Sequence, residues 1–204
     1  SQGGVIYTVT VDADNAEPRL ASAGKADTGE ITQVFASRFV VYAMTSCSLV
    51  GRDPAINGAV DRMNASESHV LEQVLSTFAQ DIGAGADTID DAVSELQANW
   101  YERTHGVRPI IHINAALLGY VKGADRHGNR LELKNGALVS AGSGYPLDKV
   151  IITGAPTVQR GTMVTSPVQD VVNNTYIDFA ERYYALTPGC EGALSAEITP
   201  PWSV

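Results

Sequence analysis

The sequence predicts an α+β fold, and three patterns predict it. An apolar stripe at helical spacing runs from Asp53 to about Ile82. Alternating, strand-like segments gather before and after it and do not alternate one for one with helices. Among the later segments, Asn135-Gly136 joins two short β-type runs, and this dipeptide is the strongest two-residue hairpin signal.

The elements follow in order. Val5, Tyr7, Val9 and Val11 alternate with Ile6, Thr8 and Thr10, as in a strand. From Asp12 to Glu30 the chain is rich in Asp, Ala, Gly and Ser and has no core-forming pattern. A stretch this long is unsuited to a buried loop. It reads as an extended arm or projecting hairpin, which an assembly can lap over its neighbours. Phe35 to Val50 is β-rich. Asp53-Pro54 then reads as an N-cap with proline at the first helical position. The helical stripe is Ile56, Val60, Met63, Val70, Leu71, Val74, Leu75 and Phe78. At 1.5 Å per residue the helix spans about 40 Å. Glu67 falls in phase with the stripe, between Met63 and Leu71, where a core residue is expected. Gly83 and Gly85 are expected to end this helix.

Thr88 to Asp91 opens a second helix with a pattern like a capping box, Asp standing where Glu or Gln is usual. That helix carries Ile89, Val93, Leu96 and Trp100 and stops before Gly106. Val107 to Ile113 reads as a buried strand, Asn114 as the cap of a short helix over 115–121, and Gly123 to Gly128 as a loop. Strands follow at 130–134, 137–140, 150–153 and 157–164, and a final one at 193–199 follows the turn Gly189 to Gly192.

The segment 175–186 alternates, with Ile177, Phe179, Glu181, Tyr183 and Ala185 on one face. That face is apolar except for Glu181, so it is expected to be buried. An ionised carboxylate there costs several kcal/mol unless a cation or dense hydrogen bonding meets it. Glu181 is therefore expected to meet a partner from another strand or another copy of the chain. Arg182 points to the opposite face and needs a different partner.

A chain of 204 residues can bury one sizeable core or two small lobes. Its 44% hydrophobic and 18% charged residues are ordinary for a globular protein. The net charge of −9, with only four Lys and ten scattered Arg, argues against a surface that grips nucleic acid. No run of 18 apolar residues occurs, so no membrane-spanning helix is expected. The chain begins at Ser1, which suggests a processed or truncated N-terminus. Cys47 and Cys190 both lie near strands. They read as two buried thiols of a protein made in a reducing cytoplasm, although sequence cannot show whether they pair.

Catalytic chemistry finds little support. Gly142-Ser143-Gly144 lacks the outer glycines of a nucleophile elbow and reads as a flexible turn. Asp125 and His127 are two ligand types with no third nearby. His112 sits in an apolar strand, where a lone histidine is usually a hydrogen-bonded core residue. His69 and His105 read as helix-surface and helix-end residues. No cofactor or metal site is indicated.

The stretch from Gly144 to Thr199, with Tyr145-Pro146, Ile151 to Gly154, the spacing of Asn174 to Glu181-Arg182, and Cys190, resembles the C-terminal part of tailed-phage major capsid proteins. The likeness points to those of actinobacterial phages with the Hong Kong 97-like fold. The Phe39 to Cys47 strand, the helix carrying Glu67 and Glu72, and Ile110 to Ile113 fall in that family's order.

This resemblance implies an N-terminal arm and projecting loop at 1–30. It also implies a peripheral domain at 31–86 and 165–204 (long spine helix plus sheet) and an axial domain at 87–164. It implies self-assembly into hexamers and pentamers of a shell around phage DNA, with Glu67, Glu181 and Arg182 as assembly contacts. Scaffold, portal or decoration proteins are candidate further partners. The protein would be a component of the virion, assembled in the host bacterial cytoplasm. Some relatives weld subunits by an isopeptide bond, and Lys25, Asn174 and Glu181 resemble that site. Glu181 would take a proton from the Lys25 ammonium, and the free amine would attack the Asn174 carboxamide and expel ammonia. Asn174 and Glu181 are seven residues apart, about 23 Å along a strand and of opposite parity. Separate subunits would have to supply them. An encapsulin-like compartment shell and another phage head protein remain alternatives, and an enzyme ranks behind both.

Overall fold

The computed structural model describes residues 7–9, 36–48, 52–86, 88–128, 130–170, 172, 175–189 and 191–202. The expected arm at 12–30, with Lys25, as well as Asn174 and Cys190, lie outside the described residues. Two sheets carry the fold, each with its own helix. Strands β1 (Tyr7–Val9), β2 (Ser37–Ser48), β11 (Thr175–Thr187) and β10 (Val164–Asp170) form the first sheet in the order β1-β2-β11-β10, and β9 (Thr157–Arg160) also pairs with β11. The second sheet has the order β3-β12-β8-β4-β7-β6-β5. Its strands are β3 (Ala79–Ala86), β4 (Ile110–Asn114), β5 (Ala124–His127), β6 (Arg130–Leu133), β7 (Leu138–Gly142), β8 (Lys149–Thr153) and β12 (Ala193–Ile198).

Helix α1 (Arg52–Thr77) has 26 residues, about 39 Å at 1.5 Å per residue. It lies on the first sheet and buries Ala59, Met63, Val74 and Leu75 against Phe39, Val41, Ala180, Tyr184 and Leu186. The helix stops about five residues before the expected end. Ser76 and Thr77 hydroxyls donate back to the Glu72 and Val74 carbonyls at 2.8 and 2.7 Å, satisfying acceptors in the last turn. The chain then becomes β3, which pairs in parallel with β12. Gly83 and Gly85 sit inside this strand, where a helix end was expected. Gly83, at φ +73°, takes Asp81 Oδ1 as acceptor for its N–H where the register shifts between Ser195 and Glu197. A buried partner strand outweighs the poor strand propensity of this segment.

Helix α2 (Ile89–Thr104) opens as expected, with Thr88 Oγ1 accepting from Asp91 N–H at 3.2 Å. It buries Leu96 and Trp100 against Ile111, Ile113, Val150 and Ile152 of the second sheet. Trp100 Nε1 donates to the Val107 carbonyl at 2.8 Å, so residues 107–109 lead into β4 without joining it. Asn114 caps a 3₁₀ turn over Ala115–Tyr120, its Oδ1 accepting from Ala116 N–H. The Asn135-Gly136 hairpin joins β6 to β7, with Gly136 at φ +86°. The loop expected at 123–128 is instead the exposed edge strand β5. The strand expected at 157–164 is two strands on one side of β11, interrupted at 161–163, where Gly161 N–H donates to the Tyr183 carbonyl at 2.8 Å. Strand β10 is an edge and contains Pro167 opposite Asp178.

The two cores meet where α1 crosses the turn after β7. Gly144 N–H donates to Glu72 Oε2 at 2.7 Å, and Ser143 Oγ lies 3.2 Å from His69 Nδ1. A Cβ on Gly142 would overlap the Glu72 carboxylate, and one on Gly144 would overlap the His69 backbone carbonyl. The segment expected to be a flexible turn is thus a tight joint. Beside it an apolar cleft of about 500 Å³ opens between Leu71 and Leu75 of α1, Leu131 and Leu138 of the second sheet, and Val158 and Leu186 of the first.

A side chain can swing away more cheaply than a helix backbone can move. Gly144→Ala is therefore expected to cost about 2–3 kcal/mol, and Gly142→Ala less than that. Urea denaturation of both variants checks the order.

Candidate assembly site: a buried ion-pair cluster and an open sheet face

Strand β11 carries apolar residues on both faces, and the choice of face depends on where α1 lies. Tyr176, Asp178, Ala180, Tyr184 and Leu186 are buried beneath α1. Ile177, Phe179, Glu181 and Ala185 are only half-buried on the far face, and Tyr183 is exposed. The expectation that Glu181 lies in the core is thereby corrected. Its face points away from α1, because Phe39, Val41 and Ala43 of β2 supply the matching buried row.

The core acid that meets a cation is Glu67. The helical stripe brings it to the inner face of the sheet, where it is 7% exposed. Arg182 of β11 reaches it from that face, with Nη1 3.1 Å from Oε2. Arg160 of β9 donates through Nη2 to the same oxygen at 2.5 Å and also contacts Oε1. Arg182 Nη1 donates as well to the Tyr184 hydroxyl at 3.4 Å. Two of the three residues singled out in the sequence, Glu67 and Arg182, therefore come together within one chain, and Glu181 is not with them. Sequence reasoning missed Arg160. Nothing in an exposed four-residue strand marks it.

The electrostatics follow from the Glu67 hydrogen bond at Arg160 and from burial at Tyr184. The hydrogen bond to Glu67 holds the Arg160 guanidinium in its charged form more firmly than usual. Burial pushes the Tyr184 phenol above its ordinary value; the Arg182 hydrogen bond opposes this shift and neighbouring Glu67 adds to it. A buried ion pair adds little net stability over an apolar replacement. Removing one partner, however, strands the other charge at a cost of about 3–5 kcal/mol.

Two further buried polar groups lie outside this cluster. Asp178 is 1% exposed, and neither of its carboxylate oxygens has a partner among the described residues. It stands opposite Thr45, whose buried hydroxyl is likewise without one. Sequence reading passed over Asp178 because it assigned the core to the other parity of β11. His112, as expected, is a hydrogen-bonded core residue. Thr153 Oγ1 donates to the Gly154 carbonyl at 3.0 Å and so accepts from His112 Nε2 at 2.7 Å. Nδ1 is then left to accept from the Tyr145 hydroxyl at 2.9 Å. Burial lowers the His112 pKa to about 4.

Asp125 and His127 are exposed on β5, and among the described residues no three His, Cys, Asp or Glu side chains cluster as metal ligands. No described helix is long and apolar enough to cross a membrane.

No family model matches the chain, and no curated protein matches it in sequence. Solved structures do match. A Mycobacterium phage Che8 structure aligns with a TM-score of 0.56 at 13% identity, over 95% of this chain and 83% of that one. The mature capsid of bacteriophage PhiM1 aligns at 0.51 and 10% identity, over 97% and 82% of the two chains. The SrpI encapsulin of Synechococcus elongatus aligns at 0.53 and 10% identity, over 79% and 75%. The fold is Hong Kong 97-like.

Glu67→Gln leaves two guanidinium groups facing an uncharged amide. It is expected to destabilise the protein by about 3 kcal/mol. Arg160→Ala, at a half-exposed position, is expected to cost measurably less; chemical denaturation compares the two. His112 binds its proton in the unfolded chain near pH 6.5 but in the folded chain only near pH 4. Its contribution is therefore complete above pH 6.5 and is lost as pH falls toward 4, up to roughly 3 kcal/mol. Melting curves of wild type and His112→Gln across that window should show wild type losing stability faster on acidification.

Proposed function

We propose that this protein is a major capsid protein of a tailed phage, related to those of actinobacterial phages, whose copies tile an icosahedral shell around phage DNA. The observation that carries this reading is a fold likeness that spans 95–97% of the chain against phage structures, one of them a mature capsid. The role is structural and not catalytic. Hexamers and pentamers form by repeated contacts between copies that close on themselves. Scaffold, portal or decoration proteins complete the particle, and the protein belongs to the virion after assembly in the host cytoplasm.

In this assignment 1–30 is the arm and projecting loop, 31–86 with 165–204 the peripheral domain, and 87–164 the axial domain. Strand β11, running the length of the first sheet beside α1, is the backbone of the peripheral part. The net charge of −9 suits a wall that encloses DNA without gripping it. Glu67 and Arg182 stiffen each subunit from within, so their effect on assembly is exerted through the subunit's shape, while Glu181 is left for contacts between copies. An isopeptide bond from Lys25 of one copy to Asn174 of another, with Glu181 from a different copy taking the proton, is the covalent form such contacts would take.

A compartment shell that houses a cargo protein is the second reading. It is favoured by the encapsulin likeness, which covers less of the chain, 79%.

Negative-stain microscopy of the purified protein is expected to show closed shells, and a small monodisperse species would reject both readings. Nucleic acid recovered from particles made during infection marks the capsid, and a single co-purifying protein cargo marks the compartment. Denaturing electrophoresis of the same particles gives a ladder if the covalent bond forms, and a single monomer band rejects it.

A further inference from the structure

The chain contains two Asn-Gly dipeptides, Asn57-Gly58 inside α1 and Asn135-Gly136 in the turn between β6 and β7. Such a pair carries a latent reaction. With no side chain on the glycine, little shields its backbone nitrogen from the carboxamide beside it. That nitrogen can give up its proton to solvent and attack Asn Cγ, closing a five-membered succinimide as ammonia leaves. Water then opens the ring at either carbonyl, giving aspartate or isoaspartate. Within a helix the glycine N–H is committed to the carbonyl four residues earlier, which covers Asn57-Gly58. A turn has no such ladder.

At Asn135-Gly136 individual hydrogen bonds do the holding. The Gly136 N–H donates to the Leu133 carbonyl at 2.8 Å, and the Gly136 carbonyl accepts from Arg108 Nε at 2.5 Å. The Ala137 N–H donates to Asn135 Oδ1 at 3.1 Å, which leaves Asn135 Nδ2 to donate to Gln97 Oε1 at 2.8 Å. Both ends of the carboxamide are therefore pinned. It cannot roll its carbonyl carbon onto the glycine nitrogen without breaking one of these bonds. The consequence falls on Gln97. Because its oxygen must face Asn135, its Nε2 is left buried and without a hydrogen-bond partner among the described residues. An orphaned buried donor is rare and costs free energy. An apolar side chain of similar length would avoid it, so packing alone does not account for a glutamine here.

We propose that Asn135-Gly136 is a latent deamidation site and that Gln97 is the positioning residue that keeps it closed. What is protected is the pairing of β6 with β7. Isoaspartate would carry the main chain through its side-chain carbon, adding an extra backbone atom to the turn. Leu131 would then no longer sit opposite Val139. Val139 and Ala137 are buried in the core around α2, and Leu131 packs against it. Nothing in this role depends on how copies of the chain assemble.

The test ages the folded protein at mildly alkaline pH and follows the exchange of ammonia for water by mass spectrometry, mapped to the peptide that carries Asn135. Wild type is compared with Gln97→Met, which removes the acceptor but fills its space, and with Gln97→Glu, which keeps an acceptor there. Circular dichroism and melting show that each is folded. Gln97→Met should convert at Asn135 about fivefold faster than wild type, a change of about 1 kcal/mol. It should still melt close to wild type, because the lost hydrogen bond takes an orphaned donor with it. Gln97→Glu should stay within about twofold of the wild-type rate. Unfolded in urea, all three should convert at one common rate, faster than folded wild type. If folded wild type converts as fast as the unfolded chain, the turn does not protect and the proposal is overturned. If folded Gln97→Met is no faster than wild type, or both variants speed up alike, Gln97 is not what closes the site.

Discussion

The architecture depends on how closely α1 approaches the turn at Gly142–Gly144. A helix can lie on a sheet at the usual spacing with almost any side chain at the contact. Here the turn comes against the helix backbone itself, and no side chain fits between. That contact, closed by the Gly144–Glu72 hydrogen bond, joins the core around α1 to the core around α2. Ile151 of β8 and Tyr145 pack into the core around α1 beside this joint, while Val150 and Ile152 of the same strand face the core around α2.

The same helix explains where charge is tolerated inside. Glu67 is carried inward by helical periodicity, and the first sheet answers it with Arg182 from a long central strand and Arg160 from a short outer one. Three elements are thereby held at one point. An apolar residue at Glu67 could pack as tightly but would not select a particular register of β9 on β11. The cluster makes the relation of strands to helix specific more than it makes the fold stable.

Local chemistry in the sequence predicted what local chemistry controls. The Thr88 and Asn114 caps, the Asn135-Gly136 hairpin and the core position of Glu67 are all short-range patterns, and the structure contains each of them. What could not be read was decided by distant partners. Residues 79–86 look like a helix ending in glycines but become a strand because β12 lies alongside. Strand β5 has no alternation because neither of its faces is buried. On β11 both parities carry aromatic and aliphatic side chains, so the alternation that pointed to Glu181 does not distinguish its face from that of Asp178. Only the position of α1 puts Asp178 inside, and that position is set by residues more than a hundred places earlier in the chain.

Pro167 gives the edge strand β10 a consequence for what can join this sheet. It removes one amide hydrogen from the sheet's open margin, so a foreign strand laid alongside would find a gap in its ladder. Growth by stitching margins together, the route to endless fibres, is thereby discouraged. Whatever meets this sheet is steered toward its broad faces, where side-chain fit rather than backbone appetite sets the match.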